Sequence, residues 1–495
     1  RRDFFSGSGF VFDRRRILGL AGCGLAGLTL GCTTRGAGPA PASPRPLEDR
    51  LAPGAPIDAL LDDIEHRAFR FFWDTSDPAT GMAPDRWPTP SFVSVAAIGF
   101  ALTAYPIGVH RGWIDRPAAR ARTLATLRFL AAAPMGESGE RTSGHRGFFY
   151  HFLGSTRGWR FARSELSTID TALLMAGVLF VQSWFDDPAE PAEREIRDLA
   201  EQLYRAVEWT WITPRAPLVS MGWHPESGFI ASDWDIYNEG MILYVLGLGS
   251  PTHALPDGTW EAWAERFEPS WGDRWGRPHL QFAPMFGHQY SHVWIDFRGI
   301  RDRYMARKQL DYFENSRRAT QAQRAYAIEN PGRWAGYGAD CWGLTACDGP
   351  GDFTMAIAGR ERSFFSYSAR GPGERDDGTL APTALIGSLP FAPEIVAPAV
   401  RAIYARYGAQ IFGRYGFLDS FNPTLTDPPA VPLTHGVVRP GFGWVDTDYL
   451  GIDQGPIVAM IENHRSGLVW AAMRRNPHIR RGLARAGFTG GWLDR

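Results

Sequence analysis

Apolar residues along this chain recur mainly with the three-to-four-residue spacing of an α-helix. From residue 57 onward this spacing returns in one segment after another, which predicts helices with at least one buried face. The predicted helices are 57–74, 91–105, 116–132, 165–184, 192–211, 236–249, 302–328, 393–407 and 453–463. Alternation with a period of two, which would predict a strand, is scarce, and its best example is RSFFSYSAR at 362–370.

Connections rich in Gly, Pro and Trp separate these helices, and short connections alternate with long ones. The long connections cover 134–163, 213–234, 268–300, 329–380 and 409–452. Helices joined in this way predict a toroid of paired helices, whose long loops gather at one end and form a cleft. We therefore predict an all-α fold with a single domain over 57–495.

The first 32 residues predict an export signal. Arg14–Arg16 precede an apolar stretch, Ile17–Gly31, that is too short to span a membrane comfortably. Paired arginines before Ile-Leu resemble a twin-arginine signal, which exports folded proteins. Cys32 resembles a lipoprotein cysteine, although Cys23 follows a better-matching box, so the pattern leaves both open. We expect an exported protein, periplasmic or at the cell surface, that meets the membrane only through such an anchor.

Residues 33–56 are rich in Pro and Ala and predict a flexible linker. Beyond it, the longest apolar run is TALLMAGVLFV at 171–181. This run is too short to cross a bilayer, so it predicts a core helix.

Composition narrows the class of partner. The chain has 495 residues, of which 44% are hydrophobic and 13% aromatic, and its formal net charge is −1. This charge argues against a nucleic-acid-binding protein, which would present a basic surface. The 19 tryptophans, 31 phenylalanines and 15 tyrosines fit platforms for sugar rings, or large loops pinned by buried rings. The composition leaves both explanations open. We expect a monomer.

Two cysteines, Cys341 and Cys347, lie outside the predicted signal. If their segment CWGLTAC is helical, they are too far apart for a disulfide. The cysteines and histidines show no metal-ligand spacing, so we predict neither a metal site nor a cofactor.

The segment SDWDIYNEGMILYVLGLGS (232–250) places Asp233, Asp235 and Glu239 ahead of an apolar run. Ser232 and Asp235 stand three apart, as in a capping box, and the positive end of a helix stabilises acids in its first turn. Glu239 lies one turn further along the same face. A carboxylate there is either neutralised by an arginine elsewhere or held in a cleft for chemistry.

Ordered motifs from about residue 60 to the C-terminus resemble one protein family. They are FRFFWDTSDPATGMAPDR (69–86), SELSTIDTALLMAG (164–177), YNEGMILYVLGLGSPTH (237–253), FGHQYSHVWIDFRGIRD (286–302), DYFENSRRATQAQRAYAIENP (311–331), WGLTACDGPG (342–351), DGTLAPTALIGSLPFAPE (377–394), GFLDSFNP (416–423) and GIDQGPIVAMIENHRSGLVW (451–470). Together they resemble the glucoamylase-like domain family, whose members include bacterial endo-β-1,2-glucanases and a domain of cyclic β-1,2-glucan synthases. The resemblance implies an (α/α)6 barrel and, as in the glucanases, hydrolysis with inversion at the anomeric carbon.

The resemblance places Glu239 in the sugar cleft, and four acids are candidates for catalysis. Inverting hydrolysis requires one protonated carboxyl that gives its proton to the leaving oxygen, and a second group that activates water. Burial or a neighbouring negative charge raises the pKa of the acid, and Asp235 is the neighbour that the sequence offers to Glu239. The four candidates are Glu239, Glu165, Asp170 and Asp453.

Helix capping is the alternative role for three of these acids. Glu165 and Asp170 stand five apart at a predicted helix start, where Ser164 or Ser167 could cap. Asp453 follows a turn and opens a helix, which is where barrel loops present catalytic groups and also where an N-cap stands. The pattern leaves both roles open.

Polar and aromatic residues of the loop motifs are candidates for binding sugar, because they can hydrogen-bond hydroxyls or stack on rings. They are Asp85, Arg86, Trp87, Asp235, Tyr237, His288, Gln289, His292, Trp342 and Gln454. Asp85 and Arg86 could instead form a structural ion pair. His288 and His292 are four apart like metal ligands, but no acid accompanies them in the zinc pattern, so we favour hydrogen bonding.

These observations predict an exported glycoside hydrolase that cleaves β-1,2-glucan or its oligosaccharides by inverting acid/base catalysis. Three alternatives stay open. A non-catalytic carbohydrate-binding lipoprotein would keep the barrel and lose an acid. A transglycosylase would need an acceptor site that excludes water. A glucoamylase would act on α-glucan.

Overall fold

The computed structural model describes residues 51–52 and 54–494. The predicted export signal, with Cys23 and Cys32, lies outside this range, as does most of the predicted linker. Within the range, no helix is both long enough and apolar enough to cross a membrane.

Helices dominate the described part of the chain. In chain order they are α1 (Ile57–Thr75), α2 (Val95–His110), α3 (Arg116–Ala131), α4 (Thr168–Trp184), α5 (Pro191–Arg205), α6 (Met241–Gly249), α7 (Thr259–Ala264), α8 (Tyr290–Trp294), α9 (Arg303–Lys308), α10 (Tyr312–Glu329), α11 (Pro382–Ile386), α12 (Pro393–Ile411), α13 (Gly451–Arg465), α14 (Leu468–Met473) and α15 (Pro477–Arg485). Short 3₁₀ turns cover Trp209–Ile212, Glu265–Ser270 and Met285–His288.

The strands are short and lie in the connections between helices. They are β1 (Arg86–Trp87), β2 (Val93–Ser94), β3 (Gly144–His145), β4 (Phe148–Phe149), β5 (Phe152–Leu153), β6 (Leu166–Ser167), β7 (Gly222–His224), β8 (Gly228–Phe229), β9 (Trp271–Gly272), β10 (His279–Leu280), β11 (Ala346–Cys347), β12 (Phe353–Ile357), β13 (Arg360–Phe364), β14 (Ser368–Ala369), β15 (Phe412–Gly413), β16 (Gly416–Phe417), β17 (Phe421–Asn422), β18 (Val437–Arg439), β19 (Gly443–Val445) and β20 (Tyr449–Leu450). Pairing between them is antiparallel throughout.

Six helix pairs form an (α/α)6 barrel. The inner helices are α2, α4, α6, α8, α11 and α13, and nearly all of their residues are buried. The outer partners α1, α3, α5, α7, α10 and α12 bury a larger share of polar residues or only one face. A helix that is apolar all round belongs in a core, so the apolar runs of the sequence decide which helix of each pair lies inside. The predicted fold class is confirmed.

The long loops gather at the end of the barrel where the inner helices begin. Each long loop leads from an outer helix to an inner one, whereas the returns to the outer layer, such as 185–190 and 387–392, are short. Strand pairs tie the long loops together, with β1 on β20, β2 on β5 and β6 on β7. Side chains at the first turns of the inner helices therefore face one shared cleft.

Two inner helices, α2 and α4, cross at glycines. A Cβ on Gly177 would overlap the carbonyl oxygen of Gly99, and a Cβ on Gly99 would overlap the carbonyl oxygen of Leu173. Both glycines are fully buried helical positions. Here glycine is required by close approach of two backbones rather than by an unusual φ.

The predicted helix 236–249 begins only at Met241. Its N-cap is Gly240, which offers no side chain, so Ser232 and Asp235 do not cap it. Asp233 and Asp235 instead form ion pairs with Arg215 and Arg266. Acids close to a helix start in sequence thus need not lie at its end in space.

The segment with Cys341 and Cys347 is not helical, and both cysteines are buried free thiols. Strand β11 ends at Cys347 and pairs with β14. The strand predicted at 362–370 is present in part, as the end of β13 and as β14.

A group of buried charged side chains lies at the end of the barrel away from the cleft. Glu65 of α1 and Glu462 of α13 are both fully buried. Arg111 donates to Glu462 at 2.6 Å, and Arg465 donates to Glu65 at 2.8 Å. Burial first, and then the negative charge of Glu462, raise the pKa of Glu65 to about 9.

Candidate active site

Three of the four predicted catalytic acids come from the starts of inner helices. Asp170 lies in the first turn of α4, Asp453 in the first turn of α13, and Glu239 just ahead of α6. The fourth, Glu165, lies just before β6. All four side chains are buried, with exposed fractions between 2% and 8%.

Neither Asp170 nor Asp453 is itself the N-cap residue of its helix. The N-cap of α4 is Ser167, whose hydroxyl accepts the Asp170 N–H. The N-cap of α13 is Leu450, which makes no side-chain cap. Asp170 and Asp453 therefore project from helix starts without closing them.

Glu239 has the surroundings of a general acid. Its Oε2 is buried and finds no hydrogen-bond partner within the described range. Burial first, and then the negative charge of Asp170, raise the pKa of Glu239 to about 8. The neighbouring acid is Asp170 and not Asp235, which the sequence suggests. Glu239 is thus protonated at neutral pH and holds a proton that it can donate.

His151 joins the other two acids of this group. Its Nδ1 lies 2.7 Å from Glu165 Oε1, and its Nε2 lies 3.5 Å from Asp170 Oδ2. Asp170 also accepts the Ser167 hydroxyl at 2.5 Å. Burial alone would raise the pKa of Glu165, but the charge and the hydrogen bond of His151 outweigh it, so the pKa is lowered. Glu165 is therefore a carboxylate.

Asp453 belongs to a second group of buried acids, which also contains Asp419 and Asp348. Burial first, and then the charges of Asp453 and Asp348, hold the pKa of Asp419 well above its usual range. Asp419 Oδ2 accepts the Asp348 N–H at 2.8 Å. Carboxyl groups this close cannot all ionise without cost, and a proton on Asp419, beside Asp453, relieves their repulsion.

Arg86 is the cation of this second group. It donates to Asp348 at 2.5 Å and to Asp85 at 3.3 Å, and lies 3.7 Å from Asp448. The predicted alternative for Asp85 and Arg86, a structural ion pair, is therefore present, but Arg86 bonds Asp348 more closely. Burial disfavours the charged guanidinium, and these acids more than offset it, so the pKa of Arg86 is raised.

Four acids of the site are not among the residues predicted from the sequence. Asp348, Asp419, Asp446 and Asp448 are buried beside Arg86 or Asp453. Asp348 and Asp419 lie in the quoted motifs WGLTACDGPG and GFLDSFNP, so the signal for them was present. Asp446 follows β19 in a segment that no quoted motif covers.

Three of these acids could bind a cation. Oxygens of Asp348, Asp419 and Asp446 lie within 4.8 Å of one another. Burial first, and then the charge of Asp348, raise the pKa of Asp446 well above its usual range, so a proton can also neutralise the group. The absence of a metal site stays a prediction.

The structure does not support sugar contacts for His288, Gln289 and His292. Their side chains are almost fully buried. Gln289 donates to the Ala384 carbonyl and to Ser388, and His292 Nε2 lies 3.0 Å from the Ser316 hydroxyl. Burial lowers the pKa of both histidines to about 3, so they stay neutral. These residues brace helices instead.

The other predicted binding residues are divided between core and surface. Tyr237 is buried, with its hydroxyl 3.1 Å from His288 Nδ1, and Trp342 is buried as well. Gln454 donates to the Phe417 carbonyl at 3.2 Å. Asp235 is engaged with Arg266. Trp87 is half-buried and close to the acids, because it follows Arg86 in β1.

Comparisons with known proteins identify the family to which this chain belongs. The Glycoamylase family model, described as "Putative glucoamylase", matches residues 231–477. A solved structure described in the same words, from Bacteroides uniformis ATCC 8492, is 31% identical, with a TM-score of 0.75, and the match covers 89% of this chain and 99% of that one. The chain belongs to the glucoamylase-like family.

Two further relatives of this glucoamylase-like chain have more specific names. The endo-β-1,2-glucanase from Chitinophaga pinensis, in complex with sophorotriose and glucose, is 28% identical with a TM-score of 0.74, covering 89% of this chain and 100% of that one. An exo β-1,2-glucooligosaccharide sophorohydrolase (non-reducing end) from Parabacteroides distasonis is 28% identical over 457 residues. That match covers 86% of this chain but 57% of the relative, so the chain spans little more than half its length.

Proposed function

We propose that this protein is a glycoside hydrolase that cleaves β-1,2-linked glucan or its oligosaccharides. The observation that carries the proposal is Glu239, a buried carboxyl with a pKa of about 8. Glu239 lies at the same end of the barrel as the second group of acids, which contains Asp453. The substrate class comes from the two relatives whose names specify β-1,2-linked substrates.

We propose inversion as the stereochemical course. Glu239 donates its proton to the glycosidic oxygen as the bond from that oxygen to the anomeric carbon breaks. Asp453, with Asp419, takes a proton from a water molecule whose oxygen forms the new bond to the opposite face of that carbon. The enzyme returns to its starting state when the proton moves from the base to Glu239 through solvent. The two carboxyl groups of inverting enzymes stand about 6.5–9.5 Å apart, which leaves room for this water.

A substrate panel tests the proposal. The purified protein is incubated with β-1,2-glucan, starch and laminarin, and reducing ends and product sizes are followed. We expect reducing ends from β-1,2-glucan alone. Release from starch but not from β-1,2-glucan would favour an α-glucan-acting glucoamylase. Longer or cyclic products without net new reducing ends would favour a transglycosylase, and no turnover with retained binding would favour a binding protein.

The anomer of the first product tests the stereochemistry. We expect NMR spectra taken within the first turnovers to show the α-anomer of the newly formed reducing end, before mutarotation equilibrates it. Appearance of the β-anomer first would mean retention and would assign a nucleophile instead of a base.

We also propose export with lipid anchoring at Cys32. The support is the arginine cluster, the apolar stretch and the cysteine of the N-terminal sequence. Mass spectrometry of the mature protein from a native-like host should find a lipid-modified N-terminal cysteine. An unmodified N-terminus downstream of Cys32 would contradict anchoring but leave export open.

A further inference from the structure

His435 is a loop histidine whose imidazole ring bridges Arg86 and Asp348. Its Nδ1 lies 3.2 Å from Arg86 Nη1, and its Nε2 lies 3.5 Å from Asp348 Oδ1. Arg86 Nη1 is itself 2.5 Å from Asp348 Oδ2. The three side chains therefore form a closed triangle, in which each one contacts the other two.

The chemistry of its two partners decides which ring nitrogen of His435 carries the proton. A guanidinium offers only N–H donors, so His435 Nδ1 is an acceptor for Arg86. The proton of the neutral ring is then on Nε2, which faces Asp348 and can donate to its carboxylate. His435 thus supplies an acceptor to Arg86 and a donor to Asp348 at the same time.

The backbone around His435 is held independently of the ring. The His435 carbonyl accepts the Trp444 Nε1–H at 2.8 Å. The preceding Thr434 N–H donates to the Pro350 carbonyl at 2.7 Å. Neither hydrogen bond involves the imidazole. The loop therefore sets where the ring lies, and the ring can in turn orient Arg86 and Asp348.

Arg86 needs such an orienting contact because several acids compete for it. Asp85 lies 3.3 Å and Asp448 lies 3.7 Å from the guanidinium, besides Asp348. A guanidinium can form ion pairs with any of these carboxylates, since its five N–H donors point in several directions. An acceptor at His435 Nδ1 favours the one orientation in which Nη1 reaches both the imidazole and Asp348.

Asp348 links this triangle to the proposed base. Its N–H donates to Asp419 Oδ2 at 2.8 Å, and its carbonyl accepts the Ser420 hydroxyl at 2.7 Å. Asp419 in turn lies beside Asp453. A displacement of Asp348 would therefore move Asp419 and change the surroundings of Asp453.

We propose that His435 is a positioning residue, which holds Arg86 and Asp348 in the arrangement that keeps Asp419 beside Asp453. This inference rests on the proposed function, because it assigns His435 to the base side of that site. His435 acts through its neighbours and takes no proton from water itself.

His435→Ala tests the proposal, with kcat and KM measured separately on β-1,2-glucan. The His435 side chain is 13% exposed and lines a cavity of about 250 Å³ beside Arg86, so truncation enlarges an existing cavity and leaves the core intact. We expect kcat to fall by up to about 100-fold, because small misplacements of catalytic groups can cost this much. KM should change little. A loss confined to KM would overturn the proposal, since it would mean that His435 contacts substrate.

Added imidazole gives a readout that a merely structural role would not change. Free imidazole offers the same acceptor and donor as the missing ring, and the enlarged cavity has room for it. We expect imidazole to restore kcat of His435→Ala with saturation. N-methylimidazole lacks the N–H that faces Asp348 and should restore far less. A folded His435→Ala variant that imidazole does not rescue would overturn the proposal.

Two further variants keep the test decisive if His435→Ala does not fold. His435→Gln keeps an acceptor and a donor at the end of the side chain, whereas His435→Leu fills the space without hydrogen bonding. The glutamine variant should retain more kcat than the leucine variant, and equal values would overturn the proposal. His253→Ala is the matched control, because His253 is exposed in the loop after α6. It should keep wild-type kcat and should not respond to imidazole.

Failure of this inference and failure of the proposed function give different results. A crystal structure of His435→Ala shows whether Arg86 still contacts Asp348, whatever the activity. If wild type cleaves no glucan but Arg86 turns away from Asp348 in the variant, the positioning role stands and the hydrolase proposal falls. If wild type cleaves β-1,2-glucan and the variant keeps both the contact and the rate, the hydrolase stands and the positioning role falls.

Discussion

Glu239 and Glu165 are both buried carboxyl groups, yet their surroundings shift their pKa values in opposite directions. Glu239 is buried and lies near the negative charge of Asp170, so its pKa rises to about 8. Glu165 faces His151, so its pKa falls. Pairs of acids that their environments separate in this way are typical of acid and base catalysis.

At the residue scale, Glu239→Gln is the most direct test. It preserves size but removes the proton, so the rate on native glucan should fall by roughly 10²–10⁴-fold. An aryl glycoside with a good leaving group should lose much less, because its departure needs little protonation. Glu195→Gln is the control, since Glu195 is an exposed partner of Arg128. A lower melting temperature with an unchanged rate per folded molecule would give Glu239 a structural role.

Asp453→Asn completes this test. A base is needed whatever the leaving group, so both substrates should lose activity alike. Loss confined to native glucan would make Asp453 part of the acid's surroundings.

Asp170→Asn tests how the acid is tuned. The wild-type rate should fall as pH rises past about 8, because Glu239 then loses the proton that it must donate. Without the negative charge of Asp170, the pKa of Glu239 should be lower, so this alkaline limb should move to lower pH. The readout is the pH profile of kcat. An equal loss at every pH would instead give Asp170 a role other than tuning Glu239.

The sequence predicts Glu239, Asp170 and Asp453 through their positions at helix starts, but it does not predict their partners. Asp170 approaches Glu239 only because α4 and α6 are neighbours in the inner ring. His151 meets Glu165 across a loop whose path no local pattern encodes. Buried polar loop residues such as Gln289 look like binding residues in sequence, because burial inside a loop motif leaves no periodic signal.

At the scale of elements, the periodic helices are those that the sequence predicts best. The long helices α1, α4 and α12 lie within a few residues of their predicted bounds. The error at the start of α6 has a physical cause, since loop residues 232–240 are held by Asp233 and Asp235 ion pairs rather than by helical hydrogen bonds. Apolar composition predicts burial, and it does not predict where a helix begins.

Gly177→Ala should destabilise the barrel where α2 and α4 cross. The new methyl group would overlap the Gly99 carbonyl oxygen, and overpacking of this kind costs about 1–3 kcal/mol. Chemical denaturation measures the change in the free energy of unfolding. Gly338→Ala is the control, because nothing lies within 4 Å of its added Cβ. Equal stability of the two variants would show that the helices can separate without cost.

At the scale of the whole molecule, the buried charged group around Glu65 and the candidate active site lie at opposite ends of the barrel. Glu65 and Glu462 lie away from the cleft, and the pKa of Glu65 is raised to about 9 from an ordinary value of 4.5. Between these values the folded state holds a proton that the unfolded state has lost. The contribution of this group to stability is therefore complete below pH 4.5 and declines as pH rises towards 9.

Glu65→Gln removes this titration while keeping the hydrogen-bonding shape. The variant should become more stable relative to wild type as pH rises, by up to about 1.4 kcal/mol per pH unit. Melting temperatures from pH 5 to 9 measure the difference, with the exposed Glu140→Gln as control. A difference that does not change with pH would mean that Glu65 keeps one protonation state throughout.

The contact of α1 with α13 has a consequence for synthesis. Glu65 and Arg465 are 400 residues apart in the chain. The contact between α1 and α13 therefore cannot form, and the barrel cannot close, before α13 has been synthesised. A ribosome therefore holds five apolar inner helices without their final neighbour until α13 has been synthesised. Such long-range closure is slow and exposes the nascent chain to aggregation. The supply of chaperones that cover apolar helices should therefore limit the yield of folded protein more than the stability of the folded state does.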